Sequence, residues 1–270
     1  MPVLNYLILM YLSSYRHSYH LVDASPWPLF ASVSAFMFAI GLINSFKGST
    51  TLLVLALISL GIVVIGWFRD ITREGLSGKH TAKVQSGLML GVILFLMSEV
   101  MVFFSFFWAF FHASLAPSIE LGGVWPPVGI TAIDPWSLPL LGSMFLLGSG
   151  ATCTMAHNAM VTGNKDGALA GMAATVLLGA LFLVLQFNEY RLGEFTIADS
   201  VFGTTFYMTT GLHGTHVLIG VVFLSVMTLR LLTDQFTTAH HLGLEFSLWY
   251  WHFVDVVWLM VFLTFYWWGG

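Results

Sequence analysis

One carboxyl group stands alone in the middle of a long apolar run. Glu99 is the only charged side chain between Lys83 and Glu120, and the stretch from Val84 to Phe111 around it is almost wholly apolar. As a helix, that stretch exceeds the roughly 30 Å hydrocarbon core of a bilayer and places Glu99 near mid-depth. An ionisable group held there handles protons or ions, pairs with a buried partner, or makes an assembly contact. Its neighbours three and four residues away, Phe95, Leu96, Val102 and Phe103, are apolar, so its own helix face offers nothing to bond. The simplest employment is a carboxyl sharing one hydrogen bond with a neighbouring helix. Gly87, Gly91 and Ser98 lie on another side, where small residues predict the closest helix packing. Glu99 is then expected to face lipid, a cleft or a partner.

Two further polar groupings follow from helical spacing. Thr205, Thr209, His213 and His216 fall within about 80° of one another at 100° per residue, and Glu245, His252 and Asp255 form a second stripe. Facing stripes of this kind satisfy buried polar atoms between membrane helices, which is their structural reading. The chemical alternative is haem or metal ligation, for which His112, His213, His216, His240, His241 and His252 are the available imidazoles. No cysteine cluster and no recognisable ligand spacing accompanies them, and His240-His241 sits beside Thr237-Thr238 at a helix mouth. The structural reading is therefore preferred.

The elements that must position these groups are membrane helices. Hydrophobic residues make up 57% of the chain and charged ones only 8%, against about 25% charged in a soluble domain. Nucleic acid is excluded as a partner on the same ground. Cys153, the sole cysteine, lies in an apolar segment, so neither a disulfide framework nor a cysteine metal site exists. Seven segments are long enough to span: Pro28 to Phe46, Thr51 to Phe68, Val84 to Ala113, Leu138 to Val161, Ala168 to Tyr190, Val201 to Leu232, and Leu242 to Trp268. Barrel strands would be about 10 residues with alternating polarity, so the fold class is an all-α membrane protein with seven transmembrane helices. The apolar stretch Val3 to Leu12 is too short to span and lacks the basic start of a signal peptide; it reads as a tail lying on the membrane or on another subunit.

Basic residues orient the bundle. Arg16, Arg69, Arg73, Lys79, Lys83, Lys165 and Arg230 fall on the side of the N-terminus, and only Lys47 and Arg191 on the other. The positive-inside rule places the N-terminus in the cytoplasm or mitochondrial matrix and the C-terminus outside. Trp125, Trp136, Trp267 and Trp268 suit an outer interfacial belt, and Trp67 an inner one.

A series of motifs in fixed order carries a resemblance. They are Ser25-Pro26-Trp27-Pro28, Trp67-Phe68-Arg69-Asp70, Ser98-Glu99-Val100, Phe107-Trp108-Ala109-Phe110-Phe111-His112, Glu120-Leu121-Gly122-Gly123-Val124-Trp125-Pro126-Pro127, Gly211-Leu212-His213-Gly214-Thr215-His216, Trp249 to Trp258, and Tyr266-Trp267-Trp268-Gly269. From Ser25 onward the chain resembles cytochrome c oxidase subunit III, the third core subunit of the terminal respiratory enzyme. The resemblance implies a helix pair 1-2 and a five-helix bundle 3-7 separated by a lipid-filled V-shaped cleft. The division is a tail at residues 1–24, the pair at 25–70, a charged linker at 71–83 and the bundle at 84–270.

It also implies a subunit with no catalytic residue, no metal and no redox centre of its own, haem a and copper belonging to partner subunits. The chain would support electron transfer from cytochrome c to oxygen and proton pumping by stabilising subunit I, its proton uptake and bound phospholipids, cardiolipin included. Family lipid contacts carry over to Trp67, Phe68, Arg73, Glu74, His80, His216 and Arg230, and Glu99 matches the family's intramembrane carboxylate. Subunits I and II, small accessory subunits and other respiratory complexes are the implied partners, in the mitochondrial inner membrane with the N-terminus in the matrix and the C-terminus in the intermembrane space.

One departure is visible. Thr233, Asp234 and Gln235 stand just after Arg230, where animal members carry further basic residues, which weakens an anionic-lipid site at that end. Rival readings have weaker support. A proton-coupled transporter using Glu99 and Asp255 would show broken helices or repeats, a retinal protein would need a helix 7 lysine, and quinol oxidase subunit III generally has five helices.

Overall fold

The computed structural model describes residues 18–270. The stretch Val3 to Leu12, Arg16 and most of the expected tail lie outside the described residues. Among those described are seven helices long and apolar enough to cross a membrane: α1 Trp27–Phe46, α2 Thr51–Leu76, α3 Ala82–Leu115, α4 Leu138–Val161, α5 Lys165–Leu192, α6 Ser200–Leu232 and α7 Leu242–Val261. The last runs on without a break as a π-helix, Phe262–Trp268.

The helices outrun the apolar segments where charged residues remain good helix formers. α2 passes Phe68 and continues through Arg69, Asp70, Arg73 and Glu74, stopping only before Gly78, whose φ of +78° favours glycine. α3 starts earlier than its apolar run, because the Thr81 hydroxyl accepts the backbone N–H of Val84 at 3.4 Å in the manner of an N-cap. α5 is capped by Asn164, whose Oδ1 accepts from Gly167 N at 2.9 Å.

The chain divides into two compact units, the first ending at Leu88 and the second running Met89–Gly270, with the division inside α3. In the first unit α1 and α2 pack as a pair. Trp27 lies flat against Gly66, where an added Cβ would sit 2.3 Å from the indole, and its Nε1 donates to Asp70 Oδ2 at 2.6 Å. Ser34 and Ser59 share a hydroxyl bond midway, and Gly41 lets the Leu53 backbone approach within 2.7 Å of an added Cβ.

In the second unit α4 and α5 make the closest approach, with Ala156 backbone 3.0 Å from a Cβ built on Gly171 and a Thr152–Thr175 hydroxyl bond of 2.8 Å beside it. α7 is the hub. The fully buried Trp251 indole fits against Gly179 of α5 and Gly220 of α6, and its Nε1 donates to Ser149 Oγ of α4 at 2.8 Å. Two turns on, Trp258 Nε1 repeats the bond to Ser143 Oγ at 2.9 Å. Among the described residues nothing packs on the expected small-residue side of α3 at Gly87 or Gly91, where a Cβ meets nothing within 4 Å. Instead α3 packs through Phe103 and Phe110, which bury against Phe253 and Phe265.

A Cβ at Gly179 would lie 2.5 Å from the Trp251 ring, and that ring has no slack on its other faces. Gly179→Val is expected to cost about 1–3 kcal/mol through overpacking. Gly61→Ala, with open space around it, should be neutral or slightly stabilising. Thermal melts in mild detergent followed by tryptophan fluorescence check the pair; equal midpoints for Gly179→Val and the parent would remove Trp251 from the centre of the packing.

Candidate functional site

Glu99 has a partner. Midway along α3, its Oε2 lies 2.9 Å from His216 Nε2 of α6. The other ring nitrogen, Nδ1, sits 2.8 Å from the Leu212 carbonyl one turn back on α6. A carbonyl can only accept, so Nδ1 carries a proton. Nε2 then either accepts a proton from a neutral Glu99 carboxyl or, in imidazolium, donates to a carboxylate. In both cases one proton lies between the two side chains.

The surroundings are aromatic. The His216 ring is edge-on to Phe103 at 5.1 Å and stacks near Tyr250 at 6.2 Å, while Phe253 closes another side at 6.2 Å. Glu99 keeps 21% of its side-chain surface and His216 only 9%. The pair is thus partly shielded, and the imidazole has no nitrogen left for a third bond.

The two polar stripes are used differently from one another. Thr205 and Thr209 donate to their own helix, to Val201 O and Thr205 O, both at 2.7 Å. His213 reaches across α6 to α7, its Nε2 donating to Val254 O at 3.3 Å, with its ring against Phe182 and Trp258. Asp255 is buried with Oδ1 unpartnered, Glu245 lies 3.3 Å from His241 Nε2, and His252 is exposed.

Of the residues matched to lipid contacts, His216 is buried midway along α6, and the others occupy helix ends and exposed faces. Trp67 and Phe68 are exposed on α2, with Arg73 and Glu74 beyond them. His80, in the turn before α3, is held below its ordinary pKa by burial and then by His20, with Glu74 opposing. Arg230 is half-covered, bonded to Gln235 Oε1 at 3.0 Å and lying 4.5 Å above the Phe236 ring. Gln235, one of the positions that departs from the animal pattern, thus holds the Arg230 guanidinium in place. Nearby, Lys165 pairs with Asp234 at 2.5 Å, which joins the α4–α5 and α6–α7 connections at one end. Two triads bring possible ligand atoms within 4.8 Å of one another, His20–Glu74–His80 and His157–His241–Glu245.

Comparison with known proteins agrees with the motif series. A family model described as Cytochrome c oxidase subunit III matches residues 17–270. Proteins named "Cytochrome c oxidase subunit 3" are similar along nearly the whole chain. The one from Triticum aestivum is 52% identical over 263 residues, covering 96% of this chain and 99% of its own length. The Pisaster ochraceus protein is 53% identical over 259 residues, with 95% and 100% covered. That of Danio rerio is 52% identical over 256 residues, with 94% and 98% covered.

One buried carboxyl escaped the sequence reading. Glu189, 4% exposed near the end of α5, accepts at Oε1 from Tyr266 Oη of the π-helix at 2.5 Å and from Gln186 Nε2 at 3.0 Å. It sits one residue inside the end of the apolar segment Ala168 to Tyr190, beside Arg191. The signal available was Gln186, three residues before it on the same face. Tyr266→Phe removes one of two donors to a buried carboxyl, and a cost of about 1–3 kcal/mol is expected. A thermal melt that does not move, with Tyr266→Phe folded and intact, would show the contact to be idle.

Proposed function

The chain belongs to the cytochrome c oxidase subunit III family, and from that membership we propose how its geometry serves the oxidase. It is a non-catalytic core subunit of respiratory complex IV, assembled with subunits I and II, in the enzyme that passes electrons from cytochrome c to oxygen and pumps protons. Its part is to stabilise subunit I, to sustain proton uptake there and to hold structural phospholipids. The observation that supports a supporting role is the closed Glu99–His216 pair. A proton path needs a chain of exchanging partners, and on the His216 side this pair ends in a backbone carbonyl and in the rings of Phe103, Tyr250 and Phe253.

The family's lipid-filled V-shaped cleft between helices 1-2 and 3-7 belongs to this reading, as does the division at 1–24, 25–70, 71–83 and 84–270. Arg73, His80 and Arg230 are suited to phosphate through charge and donors, and Trp67 and Phe68 to acyl chains. Glu74 pairs with His20 at 3.7 Å and orders the same end. His216 is carried over with them; its nitrogens are engaged and its ring is buried among Phe103, Tyr250 and Phe253, so it takes part through the Glu99 that it holds. Cardiolipin is one such lipid; small accessory subunits and other respiratory complexes are further partners. The location is the mitochondrial inner membrane, with the N-terminus in the matrix and the C-terminus in the intermembrane space, supported by the basic bias of one side.

Glu99→Gln keeps a hydrogen-bonding group in place but removes the exchangeable acid. Oxygen consumption by the assembled enzyme with cytochrome c as donor is expected to stay within about twofold of the parent, because loss of one surface-distant hydrogen-bonding acid is worth little to chemistry carried elsewhere. A Glu99→Gln oxidase that assembles normally yet reduces no oxygen would overturn the supporting role.

A further inference from the structure

His157, His241 and Glu245 come from two helices that the sequence keeps far apart. His157 lies on the last turns of α4, His241 is the N-cap of α7, and Glu245 is in its first turn. The His241 ring is already set for ligation. Its Nδ1 donates to the Thr237 carbonyl at 3.0 Å, which fixes the tautomer and leaves the Nε2 lone pair free. That nitrogen lies 3.3 Å from Glu245 Oε1. Two ligands on one tetrahedral zinc ion, with bonds of about 2.0 Å, are separated by about 3.3 Å.

An ordinary i, i+4 His–Glu pair accounts for two members of the group. It does not account for the third. His157 Nε2 is buried with no hydrogen-bond partner among the described residues, and its ring stands 5.8 Å from that of His241 at 60°. All three possible ligand atoms lie within 4.8 Å of one another. Ring packing alone would leave this buried nitrogen unbonded, which costs free energy.

We propose that His157, His241 and Glu245 bind a zinc-class divalent ion, with water completing a tetrahedron, at the end of α4 and α7. Two imidazoles and one carboxylate suit zinc; magnesium and calcium want more oxygen ligands than this group offers. Ligation requires only that the His157 ring close toward the other two. The bound ion ties the last turns of α4 to the first turn of α7 and leaves an exchangeable water, so the site is a reversible clasp with no redox role. The His20–Glu74–His80 triad is the weaker case, since His20 is exposed and none of its three side chains holds a buried unpartnered nitrogen.

The test uses the assembled oxidase. Crystals or vitrified particles are exposed to zinc chloride, and anomalous or difference density is read at this position, which separates it from metals held by other subunits. Density about 2 Å from both Nε2 atoms and a Glu245 oxygen is expected. Titration with a zinc-competing chelator should show at least tenfold weaker binding at this site in His157→Gln and Glu245→Gln, while Asp234→Asn leaves it unchanged. Absence of density here in the parent enzyme would overturn the proposal, as would equal zinc affinity in the two ligand variants. Should a variant fail to assemble, the density in the parent enzyme decides alone.

Discussion

Everything in the larger unit is registered against one indole. Trp251 touches α5 at Gly179 and α6 at Gly220 and bonds α4 at Ser149, so three helices are fixed relative to α7 by a single rigid side chain. In a bilayer, lipid tails are as apolar as leucine, and helices associate through close packing and a few directed bonds. Glycines opposite a flat ring supply the first and the Nε1–H supplies the second. The consequence reaches Glu99. Gly220 lies one turn after His216 on α6, and Tyr250, beside Trp251, stacks on the His216 ring. With that ring clamped and its Nδ1 spent on Leu212, Nε2 can point only at α3.

Polar atoms elsewhere in the unit are consumed close to home. Thr205, Thr209, Ser225 and Thr228 all donate to a carbonyl one turn back on α6, which satisfies them without linking helices. Bonds that do cross between helices among the described residues of this unit are few and specific, among them the Trp251 and Trp258 indoles to α4, Thr152 to Thr175, Tyr190 to Thr210, His213 to the Val254 carbonyl, Tyr266 to Glu189, and His216 to Glu99. None of them continues into another titratable partner across the hydrocarbon. This is the pattern of a scaffold, and the three intramembrane carboxyls, Glu99, Glu189 and Asp255, sit within it on separate helices.

Hydropathy and basic bias are local properties, so the seven spans and the proposed orientation were legible residue by residue. Partnerships were not, because they join positions far apart in the chain. Glu99 looked isolated since every neighbour three or four residues away is apolar, yet its partner was His216, already singled out on another helix for other reasons. The glycine side of α3 misled, because small residues mark close packing without saying which chain provides the other surface. Glu189 was hidden by position: at the rim of an apolar run a carboxyl reads as solvated, and only the π-helical turn that carries Tyr266 back over α5 buries it. A π-turn changes the side-chain register, which a 3.6-residue period does not anticipate.

The two ends of the bundle are held by a different physics from its middle. Lys165–Asp234 lies where water and salt screen it, and such a contact contributes about 1 kcal/mol or less. At the other end Trp125 is held between Phe110 and Phe202, with centroids 5.4 and 5.6 Å away, by area and ring geometry. The middle, where Trp251, Trp258 and the Glu99–His216 pair sit, has little water to compete for its bonds and so sets the helix register. A ligand that grips the ends, whether a lipid phosphate at Arg230 or an ion between α4 and α7, therefore adjusts how tightly the connections are held. It does so without disturbing the register on which the intramembrane pair depends.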